Sequence, residues 1–321
     1  MAVVIPGLKM VIESESYMDA MHAVLTNKGW MTMPKYRLAG MTAAAFRFTV
    51  NRRLTPESPT AYNWVAENFL AADFIGVTAG SDAGFRFDAV FPLYREHAIA
   101  QIKRAIDSGI GAIVWKDRFV VAAGYDDERQ SLFISNGVSE ELEELPYGSF
   151  GMNASPYWYY QVLGNRIELD PMEIYRESLM QAIHKWETHD PMLPEADYAC
   201  GRSAYDAIIN ALRNRNYDRD GMRTVTRAYA AAKRDIRRYM ETLELCWPQL
   251  KRAASHYASV ELSFREAARL AALDNELTEE ANRKLIRLFA IAAQSEQSAI
   301  DVIKSFMRET IHIRKHDIAL R

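Results

Sequence analysis

With 321 residues, 49% of them hydrophobic and 25% charged, the chain has a globular composition and is too long for one ordinary core, so two domains are expected. Its 39 basic and 42 acidic side chains leave a formal net charge of −3, which gives no reason to expect a nucleic-acid partner. Two cysteines exclude a disulfide framework, no apolar run is long enough to cross a membrane, and the N-terminal Met-Ala-Val-Val-Ile-Pro-Gly lacks a secretory pattern, so a cytoplasmic protein is expected.

Ser16 to Lys28 reads as the first helix, because Tyr17, Ala20, Met21, Val24 and Leu25 recur at helical spacing and Gly29 follows as a stop. The next segment, Tyr36 to Val50, carries two patterns: small residues at Gly40 and Ala43 to Ala45 that permit close packing, then strand-like alternation from Phe46. Pro56 and Pro59 bound a loop, Tyr62 to Ala72 reads as a helix, and Gly76 to Gly84 as a loop. Leu93 to Ser108 is an amphipathic helix with Ile99, Ile102 and Ile106 on one face, closed by Gly109 and Gly111. Three short apolar runs follow, Ala112 to Trp115, Phe119 to Ala123 and Leu132 to Ile134, separated by Lys116-Asp117 and by Gly124-Tyr-Asp-Asp-Glu-Arg. Apolar runs without alternation mark strands covered on both faces, so Phe119 to Ala123 is expected at the centre of a sheet, with Tyr125 beginning its exit. Glu140 to Glu144 reads as a solvated loop or helix end, and Tyr157 to Leu163 as a further strand.

At Asp170 the texture changes. Asp170-Pro-Met-Glu173 joins a capping carboxylate, a first-turn proline and a glutamate at the capping-box position. Helices are predicted at Met172 to Thr188, Arg202 to Arg215, Gly221 to Cys246, Pro248 to Leu273 and Thr278 to Ile311, with breakers at Asp190 to Pro194, Tyr217 to Gly221, Trp247-Pro248 and Asp274-Asn275. The expected architecture is α+β: residues 1–169 form a domain with a central antiparallel sheet, and residues 170–321 an all-α bundle.

The order of elements, with a strand ending Gly-Tyr-Asp, resembles papain-like cysteine peptidases of the bacteriocin-processing type. In that pattern a cysteine opens the first helix, a histidine begins the strand running into Gly-Tyr-Asp, and an aspartate or asparagine ends the next strand. These positions fall on Ser16, Arg118 and Asn136. Gly40-Met-Thr-Ala-Ala-Ala-Phe-Arg47, Pro59 to Trp64, Ile113-Val-Trp115, Phe119 to Glu128 and Leu145-Pro-Tyr147 resemble bacterial proteins with a domain like the N-terminal domain of butirosin biosynthesis protein H. Gly201 to Tyr205 and Ser295 to Ile300 resemble the C-terminal region of the same group. For an intact site, the resemblance implies a papain-like fold and transfer of an aminoacyl group from a carrier protein to an aminoglycoside amine.

The residue types argue against an intact site. A cysteine site works through a thiolate paired with imidazolium, whereas serine needs a general base, and the guanidinium of Arg118 stays protonated at neutral pH. His22 falls on another face of the first helix, and His97 on a different helix. Ser16 reads first as a helix cap, and Arg118 either as a cation for a carboxylate or phosphate or as a partner of Asp117 or Asp126. Trp64 and Trp115 offer stacking surface or core packing. Ser16, Arg47, Trp115 and Arg118 are therefore the expected ligand contacts, with no residue assigned a catalytic role.

Asp126-Asp127-Glu128 reads as a hairpin turn rather than a cation site. His312 and His316 have helical spacing that permits metal binding but have no third ligand nearby beyond Asp317, and Cys200 and Cys246 read as buried small hydrophobes, so no metal or cofactor is expected. Three functions follow: a degenerate non-peptidase that binds a small molecule or an acyl or peptidyl group, an active acyl- or amide-transferring enzyme using Ser16 or a distant residue as nucleophile, or an interaction protein that forms a homodimer through its helical half.

Overall fold

A computed structural model describes residues 2–273 and 277–319, with side chains as far as residue 309. After β1 (Val3–Val4) comes α1 (Ser16–Asn27). The carboxylate of Glu15, in extended backbone, accepts the amide hydrogen of Tyr17 and caps α1, while Gly29 at φ 74° turns the chain away from it. The cap expected at Ser16 thus lies one residue earlier, and the Ser16 hydroxyl is not used to cap the helix.

The segment with two patterns divides into α2 (Lys35–Met41), a 3-10 turn at Ala44–Phe46 and β2 (Thr49–Asn51). Next come α3 (Trp64–Asp73), β3 (Val77–Phe85), α4 (Phe91–Asp107), β4 (Ala112–Trp115), β5 (Phe119–Asp126), β6 (Ser131–Ser135), β7 (Glu143–Pro146) and β8 (Tyr157–Arg166). The helical half contains α5 (Pro171–Glu187), β9 (Tyr198–Cys200), α6 (Arg202–Asn214), α7 (Arg219–Cys246), α8 (Lys251–Ala271) and α9 (Glu279–Ala319). Asp170 caps α5 through the amide of Met172. The expected breaker Asp274-Asn275 lies outside the described residues. No helix among the described residues is long and apolar enough to cross a membrane.

The chain divides into two compact units, Met1–Leu38 with Trp64–Leu169, and Ala39–Asn63 with Asp170–Arg321. The first carries a seven-stranded antiparallel sheet in the order β3-β8-β4-β5-β6-β7, with β1 also paired to β5. β5 is interior and buried along its whole length. One face, with Ala112, Val114, Val120 and Ala122, packs on Ile99, Ile102 and Ile106 of α4, while α1 packs against β5 as well. Cover on both faces is why these strands lack alternation. Tyr125 still pairs with Leu132 and Asp126 with Ser131, so the strand leaves the sheet only after Asp126, later than expected.

Two corrections concern strands. Gly76 to Gly84, expected as a loop, is largely β3, an edge strand paired with β8 from Val77↔Arg166 to Phe85↔Tyr157. Its Thr-Ala-Gly-Ser-Asp-Ala-Gly has poor strand propensity, and the partner strand supplies what the local sequence does not. The acidic run ends in β7, which continues the sheet beyond β6. In the second unit, β2 and β9 form a two-stranded ribbon with Thr49↔Cys200, so this otherwise helical unit is not all-α. Residues 39–63, which the sequence reading keeps with the first half, pack within the second unit.

Candidate functional site

The hairpin between β4 and β5 positions the site in the first unit. Trp115 and Phe119 are paired across the strands, the Lys116 amide donates to the Arg118 carbonyl, and Asp117 adopts a left-handed φ of 58°. Asp117 is further fixed by the Ala154 amide, 2.7 Å from its carboxylate. The turn carries Arg118 and delivers the Phe119 amide to the start of α1, where it donates to Ser16 Oγ at 3.3 Å. The first helix and the central strand thus bring Ser16 Oγ to the backbone amide that follows Arg118.

A buried pair holds α1 in register. The Asp19 carboxylate accepts the amides of Glu13 and Ser14 and lies 2.7 Å from Lys35 Nζ, which also donates to the Val11 carbonyl at 2.6 Å. Burial raises the Asp19 pKa, and the Lys35 charge and the two amides oppose that rise. This pair fixes the segment leading into Ser16, and it is not legible in the sequence, because Lys35 is brought to Asp19 only by the fold.

The acid–base partners of a hydrolytic site are engaged elsewhere. His22 Nε2 lies 2.9 Å from the Met33 carbonyl, and His97 Nε2 lies 3.1 Å from Gln101 Nε2 on α4. Asn136 follows β6, but its side-chain oxygen accepts the amides of Val138 and Ser139 and its nitrogen donates to Glu143. Its amide is thus used to build the turn after β6. Arg118 is half-buried and, among the described residues, has no ion-pair partner, since Asp117 is held by Ala154 and Asp126 pairs with Arg129.

Aromatic rings extend from this point to the surface. Tyr17 and Phe119 are 5.4 Å apart, Phe119 and Trp115 5.0 Å, Trp115 and Trp64 4.5 Å, and Trp64 and Tyr157 5.8 Å. The track continues through Phe85, 5.2 Å from Tyr157, to Phe87, stacked on it at 5.0 Å. Its inner end is closed, with Trp115 only 6% exposed, whereas Tyr157 is 45% and Phe87 70% exposed. Phe85 ends β3, Phe87 lies just beyond it and Tyr157 begins β8, so a reading that takes residues 76–84 as a loop does not bring these rings together.

The remaining expected residues have other surroundings. Arg47 belongs to the second unit, where its guanidinium lies 3.4 Å over the Tyr62 ring centre. Asp126 accepts the Glu128 amide and Asp127 pairs with Lys103 at 2.6 Å, which is turn and surface chemistry; the Lys103 hydrogen bond holds the Asp127 carboxyl below the usual carboxylate range. Cys200 is buried, but Cys246, expected to be buried, is exposed at the end of α7. The side chains of His312 and His316 lie outside the described residues, and among the described ones no acid, histidine and cysteine cluster is able to hold a metal. No protein-family model matches the chain, and no curated protein is significantly similar to it.

Proposed function

We propose that the first unit is a binding site for a small molecule or an acyl or peptidyl group bearing a carboxylate, in a degenerate, non-peptidase member of the papain-like group. The observation that carries this reading is that Ser16 Oγ accepts the Phe119 amide, with no imidazole bonded to it, beside an Arg118 that has no ion-pair partner among the described residues. A serine hydroxyl without a base stays protonated at neutral pH and attacks amides too slowly to matter. The same hydroxyl still has its proton to donate. A carboxylate here would accept that hydrogen bond and the permanent charge of Arg118, while its apolar body lies along Trp64, Tyr157 and Phe85.

Titration calorimetry with N-acetylphenylalanine and octanoate tests the assignment. Saturable binding is expected, and Arg118→Ala should weaken it by about tenfold or more, the loss of one charge-assisted hydrogen bond, with the circular dichroism spectrum unchanged. A fluorophosphonate probe should leave Ser16 unlabelled. Labelling of Ser16, or binding indifferent to Arg118→Ala, would refute the reading.

A further inference from the structure

The second unit contains a pocket of about 430 Å³ whose wall is drawn from separate segments: Arg52 after β2, His189 after α5, Cys200 at the end of β9, Arg202 and Ser203 at the start of α6, and Lys304 on α9. We propose that this pocket binds a small molecule through an oxyanion group, a phosphate or a carboxylate. The charge on the wall supports this choice. Three permanent cations face it against two acids, Glu187 and Glu195, and Lys304 already pairs with Glu187. Arg52 is aimed by donating its Nε hydrogen to the Glu195 carbonyl at 2.8 Å, which leaves its terminal nitrogens available. Arg202 and Ser203 are exposed, and among the described residues their side chains bond to no protein group.

The backbone adds to the side chains. Gly201 stands at the head of α6 with φ 56°, and a Cβ there would meet the Lys185 and Trp186 carbonyl oxygens at 2.4 and 2.5 Å. Only glycine fits, so no side chain caps α6; the Ala204 amide donates to the Gly201 carbonyl, and the Arg202 and Ser203 amides carry the positive end of the helix dipole. Small oxyanions suit a pocket lined by guanidinium forks and a hydroxyl. The wall also contains a built-in reporter, the thiol of Cys200, 3.7 Å from Thr49 Oγ1.

The test uses the full chain carrying Cys246→Ser, which leaves Cys200 as its single thiol. Calorimetric titration with inorganic phosphate and with citrate at low ionic strength should show saturable binding of at least one, and the stronger of the two identifies the oxyanion class. Saturating anion should slow the alkylation of Cys200 several-fold. Arg202→Ala should weaken binding by about tenfold, Arg202→Lys by less, and Arg52→Ala should act in the same direction. Binding that chloride at equal ionic strength abolishes, an adventitious ion only, would overturn the assignment, as would affinity or Cys200 protection unchanged in both alanine variants.

Discussion

Lys233 stands on α7 between Tyr229 and Ile236, on the buried and mostly apolar face, and is completely buried. Its ammonium lies 2.7 Å from Glu296, which also accepts the Tyr205 hydroxyl, and 4.6 Å from the ring centre of Phe48. Burial lowers the Lys233 pKa and the Glu296 charge opposes this, while burial and then Glu296 push the Tyr205 hydroxyl up. Such a pair adds little net stability, but removing one member strands a charge. Glu296→Ala should destabilise the protein by roughly 3–5 kcal/mol, whereas Lys233→Met with Glu296→Leu should come within about 2 kcal/mol of the parent or exceed it. Urea unfolding midpoints decide; equal losses in the single and double variants would mean that packing, not charge, dominates. In the sequence Lys233 is one more charge on an α7 rich in arginine. Its partner is brought to it by the fold.

The elements themselves meet through close backbone approaches. Gly221, in the first turn of α7, is where a Cβ would lie 1.9 Å from the Leu54 carbonyl oxygen and 2.8 Å from Thr55, both backbone groups that cannot swing aside. Gly221→Ala should therefore destabilise by about 1–3 kcal/mol or more, read as a fall in Tm, although alanine is the better helix former. Gly148→Ala, with nothing within 4 Å of its Cβ, is the control and should be nearly neutral. α1, α4, β5 and α6 announce themselves by period, run length and stop signals. β3 and β9 do not, because each is a strand only while its partner is present.

At the scale of the molecule, the chain crosses between its two units after Leu38, Asn63 and Leu169. Phe48 belongs to the second unit, where its ring lies 4.8 Å from Tyr205, 4.6 Å from Tyr229 and 5.7 Å from Phe264. The Tyr229 hydroxyl donates to the Thr49 carbonyl there, and the Thr49 amide donates back to it at 2.9 Å. A fragment of residues 170–321 lacks Phe48 and the partner strand of β9. It should show helical circular dichroism but non-cooperative melting, and a peptide of residues 39–63 should restore a cooperative transition. Cooperative unfolding of the fragment alone would show that the inserted segment is dispensable.

Taken alone, the sequence determined the α+β class, the central place of Phe119 to Ala123, the capped start at Asp170 and most helix limits, because these follow from periodicity, run length and capping between near neighbours. It also raised the proximity of Ser16 and Arg118, through the order of elements. Tertiary structure alone decided that Glu15 rather than Ser16 caps α1, that Asn136 serves its own turn with Glu143, that Cys246 is exposed, and that residues 39–63 pack with the helices. It also assembled the aromatic track and the pocket beside Arg202. Each of these depends on which distant group competes for a hydrogen bond or a packing site, and that competition is settled only when the segments meet.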